Sequence, residues 1–154
     1  MALDIGDKLP DLTLPANGGR EVSFKDYKGK KLVIYFYPKD NTPGCTQEGQ
    51  DFRDLYQQFQ KIGADIVGIS KDSVKSHDNF VAKFEFPFTL LADVEGKACD
   101  AFGAIVEKSM YGKKYMGIDR CTWLFDEKGK LKQVWRGVKV KGHAAEVLDA
   151  AKAL

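Results

Sequence analysis

Apolar positions fall into two patterns along this chain. The runs 32-LVIYFY-37 and 65-DIVGIS-70 are nearly unbroken, which predicts strands buried on both faces. Between them Phe52, Leu55, Tyr56, Phe59 and Ile62 recur at helical spacing, from about Cys45 to Lys61, and Gly63 is a good stop. Val74, Phe80, Val81 and Phe84 give a second helical stretch across 73–85. Phe88 to Leu91 is a short apolar run, and Val94 to Phe102 a short helix. Residues 143–154 form a terminal helix with Val147, Leu148 and Ala151 on one face. Two hairpins complete the pattern. One is 11-DLTLPANGGREVSF-24 around Asn17-Gly18-Gly19; in the other, 118-IDRCTWLFD-126 and 131-LKQVWRGV-138 flank 127-EKGK-130.

The element order is therefore β-hairpin, βαβα, then ββα. A buried strand, a helix and a second buried strand imply a parallel crossover, and a hairpin plus helix close the sheet. The expected fold is α/β and thioredoxin-like: a central mixed sheet flanked by helices, with an added N-terminal β-hairpin. At 154 residues, 1–154 reads as a single domain that needs no disulfide to fold.

Composition narrows the function. A net charge of +2, from 24 basic and 22 acidic residues, gives no strong field, so neither nucleic acid nor a membrane is expected as partner. No signal peptide and no membrane-spanning run are visible, and the expected location is the cytoplasm. The three cysteines Cys45, Cys99 and Cys121 are too scattered for a disulfide framework or a zinc site. His77 and His143 lack companion ligands at metal spacing and are expected on the surface, so no metal or cofactor is predicted. Met110 and Met116 read as gap-fillers or exposed residues. The lysines of 138-VKVKG-142 read as a solvated edge.

Cys45 carries the candidate chemistry. It falls at the start of the helix after the first buried strand, in 38-PKDNTPGCTQEGQ-50. A helix N-terminus offers free N–H groups and partial positive charge, which favour a thiolate. Pro43 suits a helix start, and Gly44 lets the backbone come close to a ligand. A buried structural cysteine is the competing reading; the polar loop Asp40-Asn41-Thr42 before it makes burial less natural. A dithiol CxxC site is excluded, because position 48 is Glu48.

The stretch 35-YFYPKDNTPGCTQE-48 resembles the peroxiredoxin signature Pro-x-x-x-Thr-x-x-Cys. Its Thr-Pro-Gly-Cys-Thr form is similar to the branch called bacterioferritin comigratory protein, or peroxiredoxin Q. The likeness continues through 68-GIS-70, 90-LLAD-93, 109-SMYGKKYMGIDRCTWLFD-126 and 140-VKGHAAEVL-148, and so covers nearly the whole chain. It implies an antioxidant thiol peroxidase acting on hydrogen peroxide and organic hydroperoxides. Cys45 would be the peroxidatic nucleophile, Thr42 would bind peroxide and thiolate through its hydroxyl, Pro38 would shield the pocket, and Arg120 would complete the site. Such a site fits the reaction, because donors from Thr42, Arg120 and the Cys45 N–H can stabilise charge on the leaving oxygen, and Arg120 favours thiolate over thiol. Glu48 either holds Arg120 by a bidentate pair or is an ordinary first-turn acid. The segment 107-EKSMYGKKYMG-117 is expected to be a loop bordering the pocket.

The resemblance also raises the question of the second thiol. The two positions where many members of the branch carry a resolving cysteine are Gln50 and Val81 here. Strand alternation turns Cys121, Trp123 and Phe125 away from the face of Ile118, Arg120, Thr122 and Leu124, and Cys99 reads as a packed helix residue. A one-cysteine mechanism is expected, with an external thiol (thioredoxin, glutaredoxin or glutathione) resolving the sulfenic acid. The alternatives are Cys99 as resolver, a thiol–disulfide oxidoreductase, and a binding or holdase module without peroxidase activity. The branch implies a monomer.

Overall fold

A computed structural model describes residues 3–154. Its centre is a seven-stranded mixed sheet in the order β2-β1-β5-β4-β3-β8-β9. The strands are β1 (Thr13–Ala16), β2 (Arg20–Ser23), β3 (Lys31–Phe36), β4 (Ala64–Ser70), β5 (Thr89–Ala92), β8 (Cys121–Phe125) and β9 (Leu131–Trp135). The apolar run at 32–37 becomes the middle of that sheet, with β4 parallel on one side and β8 antiparallel on the other. The N-terminal hairpin β1–β2 joins the far edge through β5.

Alternation along β3 divides the core in two. Leu32, Ile34 and Phe36 enter one apolar cluster, with Phe102, Trp123, Phe125, Cys99 and Cys121. Val33, Tyr35 and Tyr37 enter the other, with Cys45, Phe52, Phe59, Phe80, Val147 and Leu148. Helices α1 (Pro43–Lys61) and α4 (His143–Lys152) thus cover one face, and Phe80 of α2 (Val74–Phe84) packs with them. The short α3 (Lys97–Phe102) covers the other. Burial on both faces explains why 32–37 and 65–70 read as continuous apolar runs.

Three expectations need correction. The segment 107–117 is not a loop. It lies in an antiparallel pair, β6 (Ile105–Met110) and β7 (Lys113–Ile118), that forms a sheet of its own with an exposed Tyr111 at its tip. Ile118 does not share the face of Arg120. β7 ends there, the chain breaks register at Asp119-Arg120, and Ile118 joins the cluster of Trp123. Both histidines are buried rather than on the surface.

Candidate active site

The chain leaves β3 through the buried Tyr37 and turns at Asn41, whose φ of 59° is left-handed. A small polar residue tolerates that conformation better than most. Thr42 is the extended residue before α1, and Pro43 is the first helical residue. The first helical hydrogen bond runs from the Thr46 N–H to Thr42 O, at 2.8 Å. No side chain caps this end, because the Thr42 hydroxyl donates backward to Lys39 O at 2.8 Å. Donors in the first turn of α1 are thereby left for whatever approaches Cys45. Cys45 itself is only 2% exposed.

Arg120 reaches this turn from the link between β7 and β8. Its backbone carbonyl accepts from the Val138 N–H at 2.9 Å, while Asp119 beside it holds Arg136 at 3.2 Å and the Gly137 N–H at 3.1 Å. The segment 136–138, expected to continue β9, is instead a loop that pins the arginine's backbone. The guanidinium then splits its donors. Nη2 points at Cys45 Sγ, 3.4 Å away, and Nη1 meets Glu48 Oε1 at 2.7 Å. Of the two readings of Glu48, the one in which it holds Arg120 is met, but through one oxygen rather than a bidentate pair. Burial pushes the Glu48 carboxyl up to about 7, against the pull of the Arg120 charge. Arg120 loses some preference for its charge by burial, yet its interactions with Glu48 and Cys45 outweigh this and hold its pKa above the ordinary value.

Gly44 acquires a different reason from the one its sequence context suggests. A Cβ there would stand 3.1 Å from Arg120 Nη2. The close approach it permits is that of the arginine. Gly44→Ala is accordingly expected to displace the guanidinium by a few tenths of an ångström and to slow peroxide reduction roughly tenfold, since positioned charge is sensitive to such shifts. Stopped-flow measurement of the peroxide reaction reads this directly; a rate equal to that of the native chain would refute it.

The other cysteines lie across the sheet. Cys99 and Cys121 sit in the cluster of Trp123, whereas Cys45 sits in that of Phe52. All three are free and buried. Burial raises the Cys99 thiol far above its ordinary range, helped by Asp93, and pushes Cys121 up to about 12. Neither is a ready nucleophile. Gln50 is half-buried on α1 and Val81 half-buried on α2. Pro38 is exposed, so it forms no buried wall.

Sequence reasoning missed a buried polar network behind the loop. Asp40 accepts from the Tyr37 hydroxyl at 2.6 Å and from Ser76 Oγ at 2.8 Å, and it meets His77 Nδ1 at 2.7 Å. His77 Nε2 faces Leu91 O at 2.8 Å. A carbonyl only accepts, so Nε2 carries a hydrogen, and a second proton must lie between Nδ1 and the carboxyl. The Asp40 N–H in turn donates to Asp72 at 2.8 Å. His143 lies elsewhere, bonded to Thr122 Oγ1 at 2.8 Å and held below its ordinary pKa by burial. Among the described residues no group of three His, Cys, Asp or Glu side chains is placed to hold a metal ion.

Comparison with known proteins decides the family. Residues 5–134 match the AhpC/TSA family model. The chain belongs to the AhpC/TSA family. Within it, the similarity is to the Bcp, or peroxiredoxin Q, branch. Peroxiredoxin Bcp of Bacillus subtilis is 49% identical over 152 residues, covering 99% of this chain and 97% of that one. The solved structure of bacterioferritin comigratory protein from Xanthomonas campestris is 51% identical and superposes with a TM-score of 0.91, covering 97% and 98% of the two chains. A cysteine-to-serine mutant of peroxiredoxin Q from Xylella fastidiosa reaches a TM-score of 0.95 at 44% identity, over 99% and 98%. The thioredoxin-like peroxiredoxin fold and the thiol-peroxidase class expected from the sequence both stand.

Proposed function

We propose that Cys45 is the peroxidatic nucleophile of this peroxiredoxin and that an external thiol completes its cycle. The observation that carries the first part is the single guanidinium in contact with both Cys45 Sγ and Glu48. In-line attack of the thiolate forms an S–O bond, breaks the O–O bond and places negative charge on the leaving oxygen. Arg120 and the uncapped N–H groups of the α1 first turn are the donors for that charge. The Thr42 hydroxyl already donates its hydrogen bond to Lys39 O, so its role is that of acceptor for a peroxide O–H. Pro38 serves as an outer rim. Hydrogen peroxide and organic hydroperoxides are the substrates. The Xanthomonas campestris relative is described by its alkyl peroxide reduction activity, which supports the second class.

The one-cysteine reading rests on Gln50 and Val81, which carry no thiol, and on the separation of Cys99 and Cys121 from Cys45 by the sheet. A thiol must then come from outside to condense with the sulfenic acid; thioredoxin, glutaredoxin and glutathione are the classes to compare in steady state. The chain acts as one unit over 1–154, as a monomer in the cytoplasm; among the described residues no helix is long and apolar enough to cross a membrane. Treating the protein with one equivalent of peroxide without reductant is expected to add the mass of one oxygen. Loss of two hydrogens from the monomer would instead identify an internal disulfide and defeat the one-cysteine mechanism.

A further inference from the structure

Glu48 stands out among the described residues. Its side chain is 1% exposed, and its Oε2 is the buried side-chain polar atom left without a hydrogen-bond partner. An ionised carboxylate with an unpartnered oxygen is costly in such a place, whereas a proton on that oxygen removes the charge. The local charges point the same way. Arg120 is the cation in contact, and it touches two acids, Cys45 and Glu48. When Cys45 ionises, that cation faces two potential anions.

Among the described residues, the groups around Glu48 supply no second positive charge. Asp51, on the same helix, adds negative potential at Glu48. Tyr35 on β3 feels Glu48, Cys45, Asp40 and Arg120, and burial keeps its hydroxyl protonated. His143 on α4 feels Arg120 and is pushed by burial toward its neutral form. One cation in contact, Arg120, thus serves both Cys45 and Glu48.

We propose that Glu48 takes up the proton that Cys45 gives up and returns it to the leaving oxygen of the peroxide. The inference rests on Cys45 being the nucleophile, as proposed above. The step balances. The thiolate attacks the terminal oxygen of R–O–O–H, an S–O bond forms and the O–O bond breaks. The sulfur is oxidised by two electrons to the sulfenic acid, and the peroxide is reduced. The O–H bond at Glu48 breaks, and its proton converts the leaving RO⁻ to ROH, or hydroxide to water. Glu48 is left as a carboxylate on Arg120 just as the sulfur becomes neutral, so the guanidinium again faces one anion. Reduction by the external thiol regenerates the Cys45 thiolate, and the carboxyl regains its proton. Burial of Glu48 holds its proton affinity near neutrality, where a general acid is most effective.

The test separates proton donation from the positioning of Arg120. Glu48→Gln keeps the shape and an oxygen for Arg120 Nη1 but has no proton to release. Native chain and variant are mixed with tert-butyl hydroperoxide, whose leaving group is a basic alkoxide, and with peracetic acid, whose leaving group is acetate and needs no proton. Single-turnover rates are read by intrinsic fluorescence. The variant is expected to lose about 100-fold more rate with the alkyl hydroperoxide than with the peroxy acid, the usual size of a general-acid contribution. Equal slowing with both would overturn the inference and leave Glu48 as a positioning residue alone. In the native chain, a solvent isotope effect is expected with the alkyl hydroperoxide and not with the peroxy acid; its absence with both also overturns the inference, whatever the variant's stability. Inertness of the native chain to both peroxides overturns the nucleophile reading, and this inference with it.

Discussion

Arg120→Met is expected to lower the second-order rate constant with hydrogen peroxide by about 100- to 1,000-fold, the usual cost of removing one fixed donor from developing charge. Methionine fills similar space but cannot donate to Sγ or balance a thiolate. The pH–rate profile should therefore also move to higher pH, because losing a neighbouring cation disfavours the ionised sulfur. Cys45→Ser, with no consumption of peroxide above background, sets the floor for the comparison. Stopped-flow kinetics across pH would check both variants. If Arg120→Met kept the native profile, its 3.4 Å contact with Cys45 would be incidental.

The second large effect concerns stability. His77→Leu removes one partner of a fully buried pair and leaves Asp40 facing an apolar side chain, a change that typically costs about 3–5 kcal/mol. The Tyr37 and Ser76 hydroxyls would remain on Asp40, but the proton shared with the ring would be gone. Denaturant unfolding of native and variant chains would measure the difference. A loss below about 1 kcal/mol would mean that the pair behaves as an ordinary neutral hydrogen bond. The network joins the loop before Cys45 to α2 and, through Leu91 O, to β5. A destabilised variant should therefore also show a slower peroxide reaction in whatever fraction remains folded.

Much of this was legible in the sequence, for reasons that can be named. The run at 32–37 is apolar on both faces because both faces of β3 are covered, and Pro43-Gly44 marks a helix start because proline belongs in a first turn. Alternation alone placed Cys121 with Trp123 and away from Arg120, as the two clusters show. The motif around Cys45 drew the eye to the turn that Arg120 contacts. Other features had no local signal. β6 and β7 form a small, largely exposed sheet, so burial imposes no apolar alternation on 105–118. The partners of His77 lie 37 and 14 residues away in the chain, and the partner of His143 lies 21 away. A histidine in isolation reads as a surface residue; only the fold supplies the carboxyl and carbonyl that make its burial tolerable. Similarly, nothing in the composition of α1 says that Glu48 would leave one oxygen unpartnered, or that Gly44 makes room for a side chain 76 residues further on.

Arg120 follows Cys45 by 75 residues, and this separation bears on the chain during its synthesis. Cys45 leaves the ribosome early. The arginine that contacts it arrives only after a further interval of about 4–15 s at ordinary translation rates. The strand that follows it, β8, must then dock beside β3. Until that happens Cys45 lacks its guanidinium contact. On the role proposed for Cys45, its competence toward peroxide would be switched on by completion of the sheet, and an unfinished chain would be spared the oxidation that the finished one invites.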